Sequence, residues 1–88
     1  MYFIANWKMF GDFSSFKIIN SVNNYIRKIK SKKNKVIFCV PSTLIDRFSN
    51  RLKKSKIFIG AQNCHYLNEY GPHTGSINSK MIKSAGAK

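Results

Sequence analysis

Three short, mainly apolar runs separated by longer amphipathic segments place the strongest constraint on how this chain can fold. The runs cover residues 2–5, 35–40 and 56–61 and are rich in β-branched and aromatic side chains, which favour strands. Near-continuous apolar strands that alternate with helices are typical of a parallel sheet with right-handed crossovers. The sequence therefore predicts an α/β fold with three buried parallel strands.

The segments between the strands show helical spacing. Apolar residues three or four positions apart predict a first helix from residue 13 to about residue 32, a second after Pro41 and a short third over residues 80–85. Side chains that can cap a helix lie at or near each predicted start: Ser14 or Ser15, Ser42 or Thr43, and Asn78 or Ser79. Gly86 is expected to end the third helix. The predicted order is β-α-β-α-β-loop-α.

The length of 88 residues leaves room for one small domain or part of a larger one. Three parallel strands with their helices would leave both sheet edges open and one face poorly covered, and open edges invite further chain to pair. We therefore expect residues 1–88 to form a single partial domain, the opening part of a larger α/β protein.

The charge is strongly basic, with 16 Lys and Arg against 3 Asp and Glu and a net charge of +13. Such a balance fits a small nucleic-acid- or ribosome-associated binding protein, but it also fits solvated lysines. The densest basic stretch, residues 27–35, spans the predicted end of the first helix and a turn, where cations complement the helix dipole. Five of the seven phenylalanines fall at predicted core positions rather than on one stacking surface, which favours the interpretation as solvated lysines: Phe3, Phe16, Phe38, Phe48 and Phe58.

Several sequence features that mark a membrane, secreted or metal-binding protein are missing. No run reaches the roughly 18–20 apolar residues of a membrane span, and the first residues do not form a signal peptide. Cys39 and Cys64 make no disulfide framework and no metal-binding pair. We therefore expect a cytoplasmic protein without a membrane, metal or nucleic-acid partner.

Two features remain as candidate sites. The first is Asn6-Trp7-Lys8-Met9, at the carboxyl end of the first strand, where parallel α/β proteins bind ligands. On an extended strand Asn6 and Lys8 point to the same side, and an amide beside an ammonium suits an anionic, oxygen-rich ligand. The alternative is that Lys8 only reaches solvent.

The second candidate is the long loop that leaves the third strand at the same end, from Gly60-Ala61-Gln62-Asn63 to Thr74-Gly75. Connections of this length are usually functional or disordered, so a flexible surface loop is the alternative here.

Other common site motifs are not found in the sequence. No glycine-rich phosphate loop is present, and the three acidic residues lie far apart in the sequence.

Together, Asn6-Trp7-Lys8-Met9, Gly60-Ala61-Gln62-Asn63 and Thr74-Gly75 resemble the amino-terminal third of the triosephosphate isomerase family. The resemblance covers essentially all 88 residues. It implies the first three βα units of a (β/α)8 TIM barrel, not closed. It also implies an enzyme of glycolysis and gluconeogenesis that interconverts dihydroxyacetone phosphate and D-glyceraldehyde 3-phosphate as a homodimer, without cofactor or metal.

The resemblance also implies roles for single residues. Lys8 would be the active-site lysine that balances the charge of the substrate phosphate and of the enediolate, and Asn6 would hydrogen-bond the substrate beside it. Four residues would belong to the loop that crosses into the partner subunit at the dimer interface: Gln62, Asn63, Thr74 and Gly75.

The sequence departs from the family at Phe10, where asparagine is usual, at Pro72, where a small residue is common, and at Ser76, where an acidic residue is usual. The catalytic histidine and glutamate of the family have no match, because His65 and His73 fall at other motif positions. We therefore expect no measurable isomerase activity from the 88 residues alone.

Overall fold

The computed structural model describes residues 1–29 and 33–88 and shows strands and helices in alternation. A short 3-10 helix, Phe13–Ser15, precedes the first α-helix. The remaining elements are β1 (Tyr2–Asn6), α1 (Phe16–Lys28), β2 (Lys35–Val40), α2 (Ser42–Arg51), β3 (Ile57–Ala61) and α3 (Ser79–Ser84). The predicted order is confirmed. The bounds of β2 agree with the prediction, and β3 starts one residue later than expected.

The three strands form one parallel sheet in the order β1-β2-β3. Ala5 of β1 aligns with Phe38 of β2, and Phe38 aligns with Ile59 of β3. The main core lies where α1 and α2 cover β2 and β3, and its most buried side chains are Phe48, Ile19, Leu44, Ile45, Ile59 and Val40. The parallel α/β prediction is confirmed.

The prediction that β1 is buried was wrong. All five of its residues are exposed, and Tyr2, Phe3 and Ile4 have exposed fractions of 62%, 50% and 63%. The reason is coverage: among the described residues β1 packs mainly against β2, whereas β3, the other edge strand, is also covered by α2 and is largely buried. Phe3 is therefore not a core aromatic, whereas three of the other four are buried and Phe58 is half-buried.

The helix boundaries differ from the prediction at several points. The described part of α1 ends at Lys28, and Ile29 is extended with φ −83° and ψ 115°. The predicted continuation to Lys32 and part of the basic stretch fall on residues 30–32, outside the described residues. The expected serine or threonine cap of α2 was wrong, because Ser42 and Thr43 already lie in the helix and Pro41 precedes it. Asn78 caps α3, as predicted, by accepting from the Met81 N–H.

The first helical segment is capped by Asp12 rather than by Ser14 or Ser15. The Asp12 Oδ1 accepts from the Ser14 N–H at 2.8 Å and from the Ser14 hydroxyl at 2.6 Å. In return the Ser15 Oγ accepts from the Asp12 N–H at 3.0 Å, which completes a capping box. The hydrogen bonds from Ser14 hold the pKa of the Asp12 carboxyl below its usual value.

None of the helices within residues 1–29 and 33–88 combines the length and the apolar character that crossing a membrane requires.

Candidate functional site

The backbone turns sharply at Lys8, two residues beyond the end of β1. Lys8 has φ 57° and is the one non-glycine residue with positive φ within residues 1–29 and 33–88. A left-handed backbone costs a residue with a Cβ about 1–3 kcal/mol and persists only where its surroundings impose it. The expectation that Lys8 continues an extended strand was therefore wrong, and strand alternation does not determine where Asn6 and Lys8 point.

Two side-chain amides hold the backbone of Lys8. Its N–H donates to the Asn6 Oδ1 at 2.8 Å, and its carbonyl accepts from the Gln62 Nε2 at 2.8 Å. Gln62 Nε2 also donates to the carbonyl of Cys39 at 3.1 Å. A net hydrogen bond contributes about 0.5–1.5 kcal/mol, so the two bonds to Lys8 together offset a strain of the size expected for its backbone.

Trp7 anchors the same turn to the core. Its N–H donates to the carbonyl of Cys39 at 3.0 Å, and its ring meets the rings of Phe38 and Phe48 edge-on, with centroids 6.0 Å away in both cases. Gly11, with φ 108°, lies against the six-membered ring of the indole, because a Cβ at Gly11 would come within 2.7 Å of Trp7 Cε3. The turn thus has a packed tryptophan followed by the exposed Lys8.

The loop after β3 has an ordered base built around Asn78, which is 4% exposed. The Asn78 Nδ2 donates to the carbonyls of Asn68 and Glu69, both at 3.2 Å. Beside it, the His65 N–H donates to the carbonyl of Ile77 at 2.8 Å. This hydrogen bonding argues against a purely flexible loop, at least at its base.

Thr74 and Gly75 form the exposed turn at the far part of this loop. The Ser76 N–H donates to the carbonyl of His73 at 3.3 Å, which closes the turn. Gly75 has φ 82°, a conformation that favours glycine, and a Cβ there would meet no atom within 4 Å. The turn therefore projects from the loop.

The structure brings together three of the six residues that the sequence singled out. Asn6, Lys8 and Gln62 are joined by hydrogen bonds at the carboxyl ends of β1 and β3. Asn63 and Gly75 instead line a separate surface depression with Cys64 and Ser76. Among the described residues no hydrogen bond links the Thr74-Gly75 turn to Lys8.

The role of Gln62 as a bridge between strands was missed by sequence reasoning, which placed it only at the start of the loop. The hydrogen bond joins residues 54 positions apart, and no local pattern carries such information. The motif Gly60-Ala61-Gln62-Asn63 marked the position without indicating its contact. The ion pair of the loop was also not foreseen: it joins Lys80 Nζ to Glu69 Oε1 at 3.0 Å and does not involve Ser76.

Comparison with known proteins assigns this geometry to a family. The sequence model of triosephosphate isomerase matches residues 1–88, the whole chain. The chain belongs to the triosephosphate isomerase family. The resemblance that the three motifs indicated is thereby confirmed.

Sequence comparison with individual triosephosphate isomerases supports the same family assignment. The enzyme of Bartonella bacilliformis is 40% identical over 83 residues, which are 94% of this chain and 32% of that protein. The enzyme of Bartonella henselae is 40% identical over 86 residues, 97% of this chain and 34% of that protein. The chain thus spans about a third of the length of the curated relatives it matches.

Comparison with a solved structure supports the same fold assignment. The crystal structure of triosephosphate isomerase from Bartonella henselae superimposes with a TM-score of 0.86 at 37% sequence identity, covering 98% of this chain and 34% of that one. The three parallel strands and their helices therefore correspond to the amino-terminal part of a TIM barrel, as the sequence predicted. The alternative of an unrelated basic binding protein is not favoured.

Proposed function

We propose that this chain is the amino-terminal part of a triosephosphate isomerase, in which residues 1–88 form a single partial domain with the first three βα units. The whole enzyme would interconvert dihydroxyacetone phosphate and D-glyceraldehyde 3-phosphate. It would act in the cytoplasm, in glycolysis and gluconeogenesis, and as a homodimer. The family membership and the fold of the matched third support this proposal.

The observation that carries the proposal is the exposed Lys8 at the carboxyl end of β1, on a backbone fixed from both sides by Asn6 and Gln62. A cation carried by a backbone that is fixed in advance, at the place where negative charge develops, stabilises a transition state more than one on a mobile backbone does. In this role Lys8 balances the charge of the substrate phosphate and of the enediolate.

Asn6 would bind the substrate beside Lys8 through its Nδ2. Its Oδ1 is already occupied by the Lys8 N–H at 2.8 Å, so the two N–H groups of the amide are the part left for substrate oxygens. Asn6 therefore serves two purposes, since one end of its amide orients the lysine backbone while the other faces the ligand.

The turn at Thr74 and Gly75 would contact the partner subunit of the homodimer, together with Asn63. Its exposure and its projection from a hydrogen-bonded base support this assignment. Gln62 differs from these three, because its amide is used within the chain.

A chimera tests the proposal, with residues 1–88 replacing the matching third of the Bartonella henselae triosephosphate isomerase. We expect the chimera to be an active isomerase in a coupled assay. Lys8→Met should lower kcat/KM by about 10²–10³-fold, the loss typical of removing one preorganised electrostatic group. Lys17→Met, which removes an exposed lysine on α1, is the matched control and should leave kcat/KM unchanged.

Two results would contradict the proposal. One is a folded chimera without isomerase activity, and the other is a Lys8→Met variant as active as Lys17→Met. The 88-residue chain assayed alone should show no turnover, because it lacks the acid and base groups of the family.

A further inference from the structure

We propose that the amino end of the sheet is a docking surface for the phosphate backbone of nucleic acid, held by charge and without sequence preference. The surface consists of residues 33–35 and 53–56, which lead into β2 and β3 and form the lysine face. It adds a second surface to a member of the isomerase family, at the opposite end of the sheet from Lys8. It departs from the expectation, drawn from the sequence, that the chain has no nucleic-acid partner.

The two segments of the lysine face are held together by the fold. The register of β2 with β3 places Lys35 beside Lys56, on neighbouring chain segments about 4.8 Å apart. The Lys35 N–H also donates to the carbonyl of Met1 at 3.0 Å. The second segment is fixed to α1, because the Ser55 Oγ donates to the Asn23 Oδ1 at 2.7 Å. The lysines therefore project from a defined backbone.

The lysine face carries charge of one sign. The three acidic residues of the chain lie elsewhere: Asp12 and Glu69 belong to the connections after β1 and β3, at the carboxyl end, and Asp46 lies on α2. Five of the seven residues of the face are exposed cations: Lys33, Lys35, Lys53, Lys54 and Lys56. The face thus has no acidic residue of its own to neutralise it.

Helix stabilisation explains only part of this cluster. Lys53 and Lys54 follow α2, where a cation complements the negative end of the helix dipole. That effect falls off within the last turn of a helix, so it does not account for Lys35 and Lys56, which lie at strand starts. The lysines at the strand starts are free to interact with an anion from outside the chain.

The residue types of the face distinguish between possible anionic partners. Lysine is a hydrated point charge without the fixed geometry of arginine, and such charges bind phosphate backbones without reading the bases. Protein interfaces are instead depleted in lysine and depend on buried aromatic or arginine anchors. Stable membrane binding needs inserted apolar groups or a lipid anchor, whereas residues 33–35 and 53–56 contain only Lys, Asn and Ser. Nucleic acid fits this face best.

The number of lysines sets the expected salt dependence. Each phosphate neutralised on a single strand contributes about 0.7 to the slope of log affinity against log salt concentration. Contacts from all five lysines give a slope of about −3.5, so an increase from 50 to 200 mM salt lowers the affinity about 100-fold.

The test measures binding of labelled single-stranded RNA, and of a DNA duplex of the same length, to the chimera described above by fluorescence anisotropy. The double variant Lys54→Gln and Lys56→Gln removes two charges from the lysine face. The matched control, Lys17→Gln and Lys80→Gln, removes two charges from the starts of α1 and α3. At 50 mM salt we expect the first to bind RNA about 10–100-fold more weakly, with a salt slope shallower by about 1.4, and the control to bind unchanged.

The isomerase activity of the chimera should be the same in both double variants, which shows that they are folded. Equal weakening of RNA binding in both would overturn the proposal, because binding would then follow net charge rather than the lysine face. Binding that does not depend on salt would overturn it too. Tighter binding to phosphatidylserine vesicles or to polyglutamate than to either nucleic acid would assign the face to a membrane or to an acidic protein and would also overturn it.

A second measurement locates the contact without any substitution. Lysines of the chimera are acetylated with and without RNA, and the modified positions are read by mass spectrometry. We expect RNA to protect Lys54 and Lys56 and to leave Lys17 and Lys80 reactive. Uniform protection, or none, would overturn the proposal. Protection confined to the lysine face in a chimera without isomerase activity would support it and would contradict only the proposed function.

Discussion

The two ends of the parallel sheet are built differently. At the carboxyl end, neutral amides and carbonyls fix one backbone turn, through the hydrogen bonds of Asn6 and Gln62 to Lys8. At the amino end, strand starts and helix ends collect exposed cations: Lys33, Lys35, Lys53, Lys54 and Lys56. Among the described residues no acidic side chain accompanies those lysines in the connections before β2 and β3.

The difference indicates how much each end depends on particular residues. A directional hydrogen bond needs one donor at one distance, whereas solvated cations need only water and weak long-range repulsion, screened within about 10 Å at 0.1 M salt. We therefore expect substitutions at the carboxyl end to have large, specific effects and those at the amino end to have small ones.

The largest effect on stability should come from Trp7→Ala. Truncating a tryptophan packed on Phe38 and Phe48 costs about 3 kcal/mol or more of unfolding free energy, from lost burial and the resulting cavity. Urea denaturation of the chain measures it. Tyr2→Ala, at the other end of β1 and 62% exposed, should cost less than about 1 kcal/mol. Equal losses would remove the contrast between the two ends.

The next effect should come from Gly11→Ala. The new Cβ would lie 2.7 Å from Trp7 Cε3 on a backbone with φ 108°, so the variant should lose about 1–3 kcal/mol of unfolding free energy. Gly71→Ala is the control, because its Cβ would meet the His73 ring only at 3.4 Å, and thermal unfolding should shift little. An unchanged unfolding free energy in Gly11→Ala would show that Trp7 can move to accommodate the added methyl group.

These contrasts also indicate what the sequence could and could not predict. Strand and helix positions depend on neighbouring residues, so the bounds of β2 and the order of elements could be predicted from spacing. The exposure of β1 could not, because an apolar run such as Tyr2-Phe3-Ile4 is buried only if other elements cover it. The surroundings of Lys8 also could not be predicted, because its carbonyl accepts a hydrogen bond from Gln62, 54 positions later.

A smaller effect is expected at the amino end from the double substitution Lys53→Glu and Lys54→Glu. Exposed charges after α2 should change the unfolding free energy by no more than about 0.5 kcal/mol each. Lower net charge should also reduce self-repulsion, so the rise of the melting temperature with added salt should become shallower. A loss above about 2 kcal/mol would mean that these lysines have structural partners.

The smallest effect should be the acid sensitivity of the Asp12 cap. Because hydrogen bonds from Ser14 lower the folded-state pKa of this carboxyl, its stabilisation is complete above its usual pKa. It is lost as the pH falls through the folded-state value. Acid unfolding followed by circular dichroism should therefore be slightly less steep in Asp12→Asn, which caps without titrating. Identical profiles would show that the cap contributes nothing.

Trp7 is the single tryptophan of the sequence, so it serves as an intrinsic fluorescence probe at one known position. Selective excitation of the indole yields emission from one place only, between Phe38 and Phe48 and next in sequence to Lys8. An anion that settles near Lys8, or a substitution that frees its carbonyl, changes the surroundings of that fluorophore. Occupancy of the carboxyl end can thus be followed without labels.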